Sequence, residues 1–357
     1  MITSRGQIDA LTGIRGIAAW FVVVYHIRSA FAPSLPQNVI AIASKGYLAV
    51  DLFFILSGFV LWMTWGQRLA SERWRAVPHF LRKRIARVWP LHAVILTATV
   101  ALALVMTASG RISADQEHWR ELPLHFLLLQ NWGFTSQLSW NHPSWSISTE
   151  LAAYFAFALL VPFSAITTPV SKNLSVKARI VCVVVVSTSL IIMLDQFFAF
   201  HRGQILDADI PHLGLARCLA QFMCGAAMCM IWQSVDGAVL RLSTATVFLV
   251  SVSMWVAGVT RETLAIPIAF AALVPFIAST SAARFNPLSS RVAIFLGEIS
   301  YSTYLTHFLL WSVFKLVFVR NSADVSLLLG TFYLVLTLTV SILLYRLVER
   351  PARRWLG

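Results

Sequence analysis

Arg15 and His26 lie eleven residues apart within one apolar stretch, Leu11 to Phe31. At about 100° per residue, that spacing puts both side chains on one helix face, about 16 Å apart along its axis. An imidazole can take a proton from a hydroxyl, and a guanidinium can hold an anion or a developing negative charge. Asp51, in GYLAVDLFFILSGF, is a candidate partner for His26, because a carboxylate beside an imidazole fixes its tautomer and raises its basicity. It is equally suited to an interfacial pair with Arg28 or Lys45. Glu150 follows NHPSWSIST; the helix macrodipole favours an acid at such a position but does not account for the hydroxyls and Trp145 before it. Ser300, Tyr304 and His307 recur at i, i+4 and i+7, a polar stripe that either bonds between helices or lines a cavity with a second titratable histidine. Arg82, Lys83, Arg84 and Arg87 precede Trp89-Pro90. Membrane topology alone explains basic residues there, but Arg84 and Arg87, at i and i+3, can also clamp phosphates bidentately.

These residues need elements that hold them at membrane depth. Hydrophobic residues are 58% and charged residues 12% of the 357, far from the soluble globular range. An all-α polytopic membrane protein with about ten transmembrane helices around a polar internal cavity is predicted. The spans are Leu11 to Phe31, Tyr47 to Gly66, Val88 to Ala108, Ser144 to Ile166, Ile180 to Phe200, His212 to Gln233, Leu242 to Gly258, Glu262 to Thr280, Val292 to Phe314 and Ser326 to Leu347. The first is long and ends without a small-residue cleavage site, so it reads as a retained helix. One membrane domain over 8–351 is expected, with short tails at 1–7 and 352–357, acting alone or with a separate partner.

Charge orients the spans. With the N-terminus cytoplasmic, 18 of the 28 lysines and arginines fall on the cytoplasmic side and 8 at the opposite side and adjacent helix ends, which places both termini inside. The net charge of +13 is then topology, not nucleic-acid binding. Cys182, Cys218, Cys224 and Cys229 all fall in spans without metal-ligand spacing, so neither a metal nor a disulfide is expected. The longest connection, Ser109 to Pro143, holds Trp119, Trp132 and Trp140 and the apolar patch Leu122 to Leu129, too short to span and so re-entrant or interfacial. Its tryptophans suit the bilayer interface or stacking on sugar rings.

In this order, IDALTGIRGIAAWFVVVYH, GYLAVDLFFILSGF, FLRKRIARVWP, PSWSISTELAAYF and GEISYSTYLTHF resemble the integral-membrane acyltransferase 3 family, from about Ile8 to Pro351. The resemblance implies transfer of an acyl group, commonly acetyl, from cytoplasmic acyl-CoA to a hydroxyl of a carbohydrate or glycolipid at the cell envelope, in the bacterial inner membrane. It matches the family's spaced Arg and His to Arg15 and His26, its paired arginines to Arg84 and Arg87, its acids to Asp51 and Glu150, and its YLxH histidine to His307. His92 stands where many members have Tyr, and Thr12-Gly13 where Asp-Gly is frequent.

The expected chemistry has His26 as general base, oriented by Asp51 or Glu150, with Arg15 on the oxyanion or on the donor. Arg84 and Arg87, with Arg82 and Lys83, would hold the donor's phosphates. An acyl-histidine route, with His307 in place of His26, is the other form. No tightly bound cofactor is expected; acyl-CoA enters as donor substrate, and the partners are the bilayer, the acceptor and proteins of envelope polysaccharide synthesis. The rival class is a polytopic transporter of a small solute, because intramembrane Arg, His and Asp also serve proton coupling.

Overall fold

In lipid a backbone has only itself to bond, so long apolar runs become helix. The protein is described by a computed structural model over residues 8–111, 118–163, 176–201, 203–283, 285–319 and 325–356, in which every regular element is helical. The tail 1–7 and several counted basic residues, among them Arg5, Lys172, Arg202, Arg284 and Arg320, lie outside the described residues.

In chain order, α1 (Asp9–Ile27) is followed by the short α2 (Gln37–Ala43) and by α3 (Ala49–Leu61), which continues through a π-helical turn into α4 (Gln67–Glu72). Then come α5 (Val77–Ala108), the one-turn α6 (Leu122–Phe126), α7 (Ser144–Leu160) and α8 (Val176–Phe200). They are followed by α9 (Ile210–Trp232), α10 (Gly237–Val256), α11 (Glu262–Thr280) and α12 (Arg291–Glu298). The last are α13 (Ser300–Phe318), α14 (Leu327–Leu344) and α15 (Arg350–Trp355). Nine of the described helical stretches are long and apolar enough to cross a membrane.

The ninth expected span, Val292 to Phe314, is not one helix. It divides at Ile299 into α12 and α13. Ser300 donates its hydroxyl to the carbonyl of Gly297 at 2.8 Å, a local bond that competes with the helical ladder. The short α12 packs on α1, while α13 turns its polar residues inward.

The basic run is also placed differently from expectation. α5 begins at Val77, not Val88, so Arg82 to Arg87 ride on a continuous helix of 32 residues. That helix is about 48 Å long against about 30 Å of hydrocarbon, which leaves its basic first turns near one face of the bundle.

The bundle is centred on α3, α7, α9 and α11, which are largely buried, while α10 and α14 present mostly apolar side chains outward. α3 and α9 cross closely: a Cβ on Gly58 would stand 1.8 Å from the carbonyl oxygen of Phe222, and one on Gly225 1.9 Å from that of Ile55. Only glycine admits this approach.

The connection after α5 packs back against the bundle, the re-entrant one of the two forms its short apolar patch allows. The indole of Trp89 donates to the carbonyl of Phe126 at 3.0 Å, and Nε2 of His92 meets the carbonyl of His125 at 2.7 Å. His92 is sixteen residues before the end of α5, about 24 Å along its axis, so α6 sits against its middle. Backbone groups there need partners from protein, and Ser148 supplies two: it donates to the carbonyl of Leu128 at 2.8 Å and accepts from the amide of Asn131 at 3.1 Å.

Candidate active site

Arg15, on the buried side of α1, lines a cavity of about 330 Å3 with Lys83, Arg84 and Arg87 of α5, Arg353 of α15, and Ser57, Glu150 and Tyr154. Five basic side chains thus face one acid. Glu150 is held by neutral groups, accepting from Ser57 at 2.5 Å and Tyr154 at 2.6 Å. Arg353 pairs with Glu349 at 3.6 Å. Arg15, Arg84 and Arg87 have no hydrogen-bond acceptor and no ion pair among the described residues, and Nε of Arg84 is buried without a partner. Leaving half-buried guanidinium groups without acceptors is costly, and an anion in the cavity would offset that cost.

Helical spacing decides which basic residues arrive. Lys83, Arg84 and Arg87 lie within an arc of about 100° on α5, whereas Arg82 lies outside it. Arg82 is exposed, 3.4 Å from the ring of His79, and does not line the cavity.

His26 is not in that cavity. About 16 Å along α1 from Arg15, its Nδ1 lies 3.0 Å from the carbonyl of Val22 and 3.1 Å from Nε2 of His307. Nδ1 of His307 faces the carbonyl of Thr303 at 3.3 Å. Carbonyls only accept, so each Nδ1 carries the ring proton, His307 Nε2 accepts from His26, and the free lone pair falls on Nε2 of His26. That nitrogen has no partner among the described residues. Between cavity and dyad stands Tyr304, which bonds Ser146 at 2.7 Å; its ring is 6.0 Å from that of His307.

A model of the family described as an acyltransferase domain matches residues 8–346. The chain belongs to the acyltransferase 3 family. Acyltransferase MdmB of Streptomyces mycarofaciens is 34% identical over 158 residues, which is 43% of this chain and 39% of that protein. O-acetyltransferase OatA of Staphylococcus aureus is 20% identical over 382 residues, covering 98% of this chain and 58% of that protein. Protein 2 in the picA locus of Rhizobium radiobacter is 38% identical over 100 residues, 28% of this chain and 48% of that one. The chain therefore spans less than two thirds of each of these relatives, and no solved structure matches it. Membership in this acyltransferase 3 family and the nine described helical stretches long and apolar enough to cross a bilayer make the protein a multi-pass membrane protein.

Two expected partnerships are absent from this member. Asp51 does not orient His26, nor does it pair with Arg28 or Lys45. It is fully buried, with its oxygens 2.7 and 2.6 Å from Nε and Nη2 of Arg217 and a third bond from Gln221 at 2.6 Å. A fully buried carboxylate needs a cation and further hydrogen bonds at its own depth to offset lost hydration, and α9 supplies both in Arg217 and Gln221. Glu150 does not reach His26 either, because the turn that carries it faces the arginine cavity. Lys45 instead pairs with Glu262 at 2.8 Å. Arg15 is placed with the arginines of α5, away from any oxyanion formed at His26. The residues not foreseen are His307's role as the neighbour of His26, Arg353 at the cavity, and His142, whose ring lies 6.3 Å from that of His26. Only the histidine in NHPSW signalled the last.

Proposed function

We propose that the protein transfers an acyl group, most simply acetyl, from acyl-CoA to a hydroxyl of a carbohydrate or glycolipid at the envelope of a bacterial cell, from the inner membrane. The observation that carries the donor is the set of three guanidinium groups, Arg15, Arg84 and Arg87, around one cavity with no acceptor among the described residues. Guanidinium groups match phosphate oxygens bidentately, and a nucleotide with several phosphates satisfies several at once. Val50, Phe53, Ile147 and Tyr304 line the same cavity, less polar groups suited to a thioester arm.

The charge count assigns Arg68, Arg73, Arg75, Arg346 and Arg350 to the same side as Arg84, Arg87 and Arg353, which favours a cavity open to the cytoplasm and both termini inside. His26 then lies toward the outer face. Its Nε2 removes the proton as the acceptor oxygen forms its bond to the thioester carbon. The C–S bond breaks, and the imidazolium returns the proton to the leaving thiolate. His307 holds the other nitrogen throughout, and both of its own nitrogens are engaged, so it acts on His26 and not on substrate. The relatives named O-acetyltransferase support a hydroxyl acceptor.

The test is CoA release from acetyl-CoA by protein in nanodiscs, together with mass spectrometry of envelope glycans from a deletion strain. Loss of one acyl modification in that strain, restored by wild type and not by His26→Ala, is the expected result. Restoration by His26→Ala would end the role of His26 as base.

A further inference from the structure

His26 has a second flank, opposite the arginine cavity, where the connection 203–209 between α8 and α9 passes over the end of α1. One residue of that connection is fixed on both sides. The amide of Leu206 donates to Oε1 of Glu262 at 3.1 Å, and its carbonyl accepts from Nη1 of Arg217 at 2.6 Å. Glu262 is held in turn by Tyr47 at 2.6 Å and Lys45 at 2.8 Å, and Arg217 by Asp51. Two charge clusters, one around buried Glu262 and one around buried Asp51, therefore grip the backbone of a single loop residue.

What they position is the next side chain. Asp207, partly exposed, accepts from the hydroxyl of Tyr25 on Oδ2 at 2.7 Å, while Oδ1 has no partner among the described residues. Tyr25 precedes His26, and their rings are 5.0 Å apart. On the other side His142 lies 5.4 Å from the ring of Phe308 at an interplanar angle of 31°, with neither ring nitrogen bonded among the described residues. Burial lowers the pKa of His142, against the opposing pull of Asp207, so the ring is neutral and has one donor and one acceptor nitrogen.

A carboxylate oxygen held by Tyr25, whose ring is 5.0 Å from that of His26, and a neutral imidazole, whose ring is 6.3 Å from it, supply a hydrogen-bond acceptor and a donor around that residue. Adjacent hydroxyls of a sugar ring offer the complementary set. An anionic group would meet Asp207, and an apolar one would strip these polar atoms of water without replacing it. Resting on the reading of His26 as base, we propose that Asp207 and His142 form the acceptor subsite, which seats the hydroxyls of a glycosyl ring beside Nε2 of His26.

The test is binding without any donor, so that it stands apart from acyl transfer. Saturation-transfer difference NMR of methyl α-D-glucopyranoside with the full chain in nanodiscs should show ring-proton signals. Asp207→Asn, which keeps an acceptor for Tyr25, and His142→Ala should each lower them at least fivefold, with unchanged elution and melting temperature. Arg84→Ala, on the donor side, should keep them. No signal from wild type, signals that persist in both subsite variants, or equal loss in Arg84→Ala would each overturn the proposal. A failure of the acyl-transfer reading would appear instead as absent CoA release, with this binding intact.

Discussion

Nδ1 of His26 and Nε2 of His307 are 3.1 Å apart, joining two helices whose residues are 281 positions apart in the chain. The bond assigns different work to the two rings: His26 has the free nitrogen, and His307 has none. His26→Ala should lower kcat about 10² to 10⁴-fold, the usual contribution of a general base. His307→Ala should lower it less, with KM for acetyl-CoA unchanged, and His307→Gln should recover part of the loss because its carbonyl can accept from Nδ1 of His26. Steady-state kinetics on protein in nanodiscs decide this, and equal losses in His307→Ala and His307→Gln would refute the positioning role.

The cavity arginines predict a different kinetic pattern. Each charge-assisted bond to a phosphate contributes about 1.5 to 3 kcal/mol, so Arg84→Ala and Arg87→Ala should each raise KM for acetyl-CoA by about 10-fold or more. With acetyl-pantetheine, which lacks the nucleotide, the same variants should differ little from wild type. A comparable loss on both donors would show that the arginines do not read the phosphates.

The contrast between these two clusters shows what the chain discloses unaided. Apolar length located the helices, to the residue for Glu262–Thr280, because hydrocarbon thickness acts on local sequence. The shared face of Arg84 and Arg87 followed from helical geometry alone. The partner of Asp51 did not, because Arg217 is 166 residues away and the choice depends on which helices cross. The sign was nevertheless present, since an arginine inside an apolar span needs a carboxylate at its own depth. Nor could spacing show that Glu150 faces the arginines, which depends on the bond from Ser57 of α3.

Asp51 and Arg217 should behave as a structural pair. Removing one partner leaves a buried charge unmatched and costs about 3 to 5 kcal/mol, so Asp51→Ala and Arg217→Ala should each lower the melting temperature sharply. The double change Asp51→Leu with Arg217→Met should recover much of it. If Asp51→Ala instead left melting unchanged and lost only activity, Asp51 would belong to the chemistry after all.

The crossing of α3 and α9 ties folding to the donor cavity. Gly58 follows Ser57, which bonds Glu150, and Gly225 is eight residues beyond Arg217 on α9. A methyl group on Gly58 would stand 1.8 Å from a backbone oxygen, which cannot move as a side chain would, so the helices must separate. Overpacking usually costs about 1 to 3 kcal/mol, and this site should reach the upper end or exceed it. Gly58→Ala should therefore lower the yield of folded protein and, in what folds, raise KM for acetyl-CoA because Ser57 is displaced from Glu150. Gly237→Ala is the control, since a Cβ there meets only the end of the Arg241 side chain at 3.4 Å. Fluorescence-detected size exclusion followed by a melting curve compares the two, and equal melting temperatures would mean that the helices do not approach this closely in the membrane.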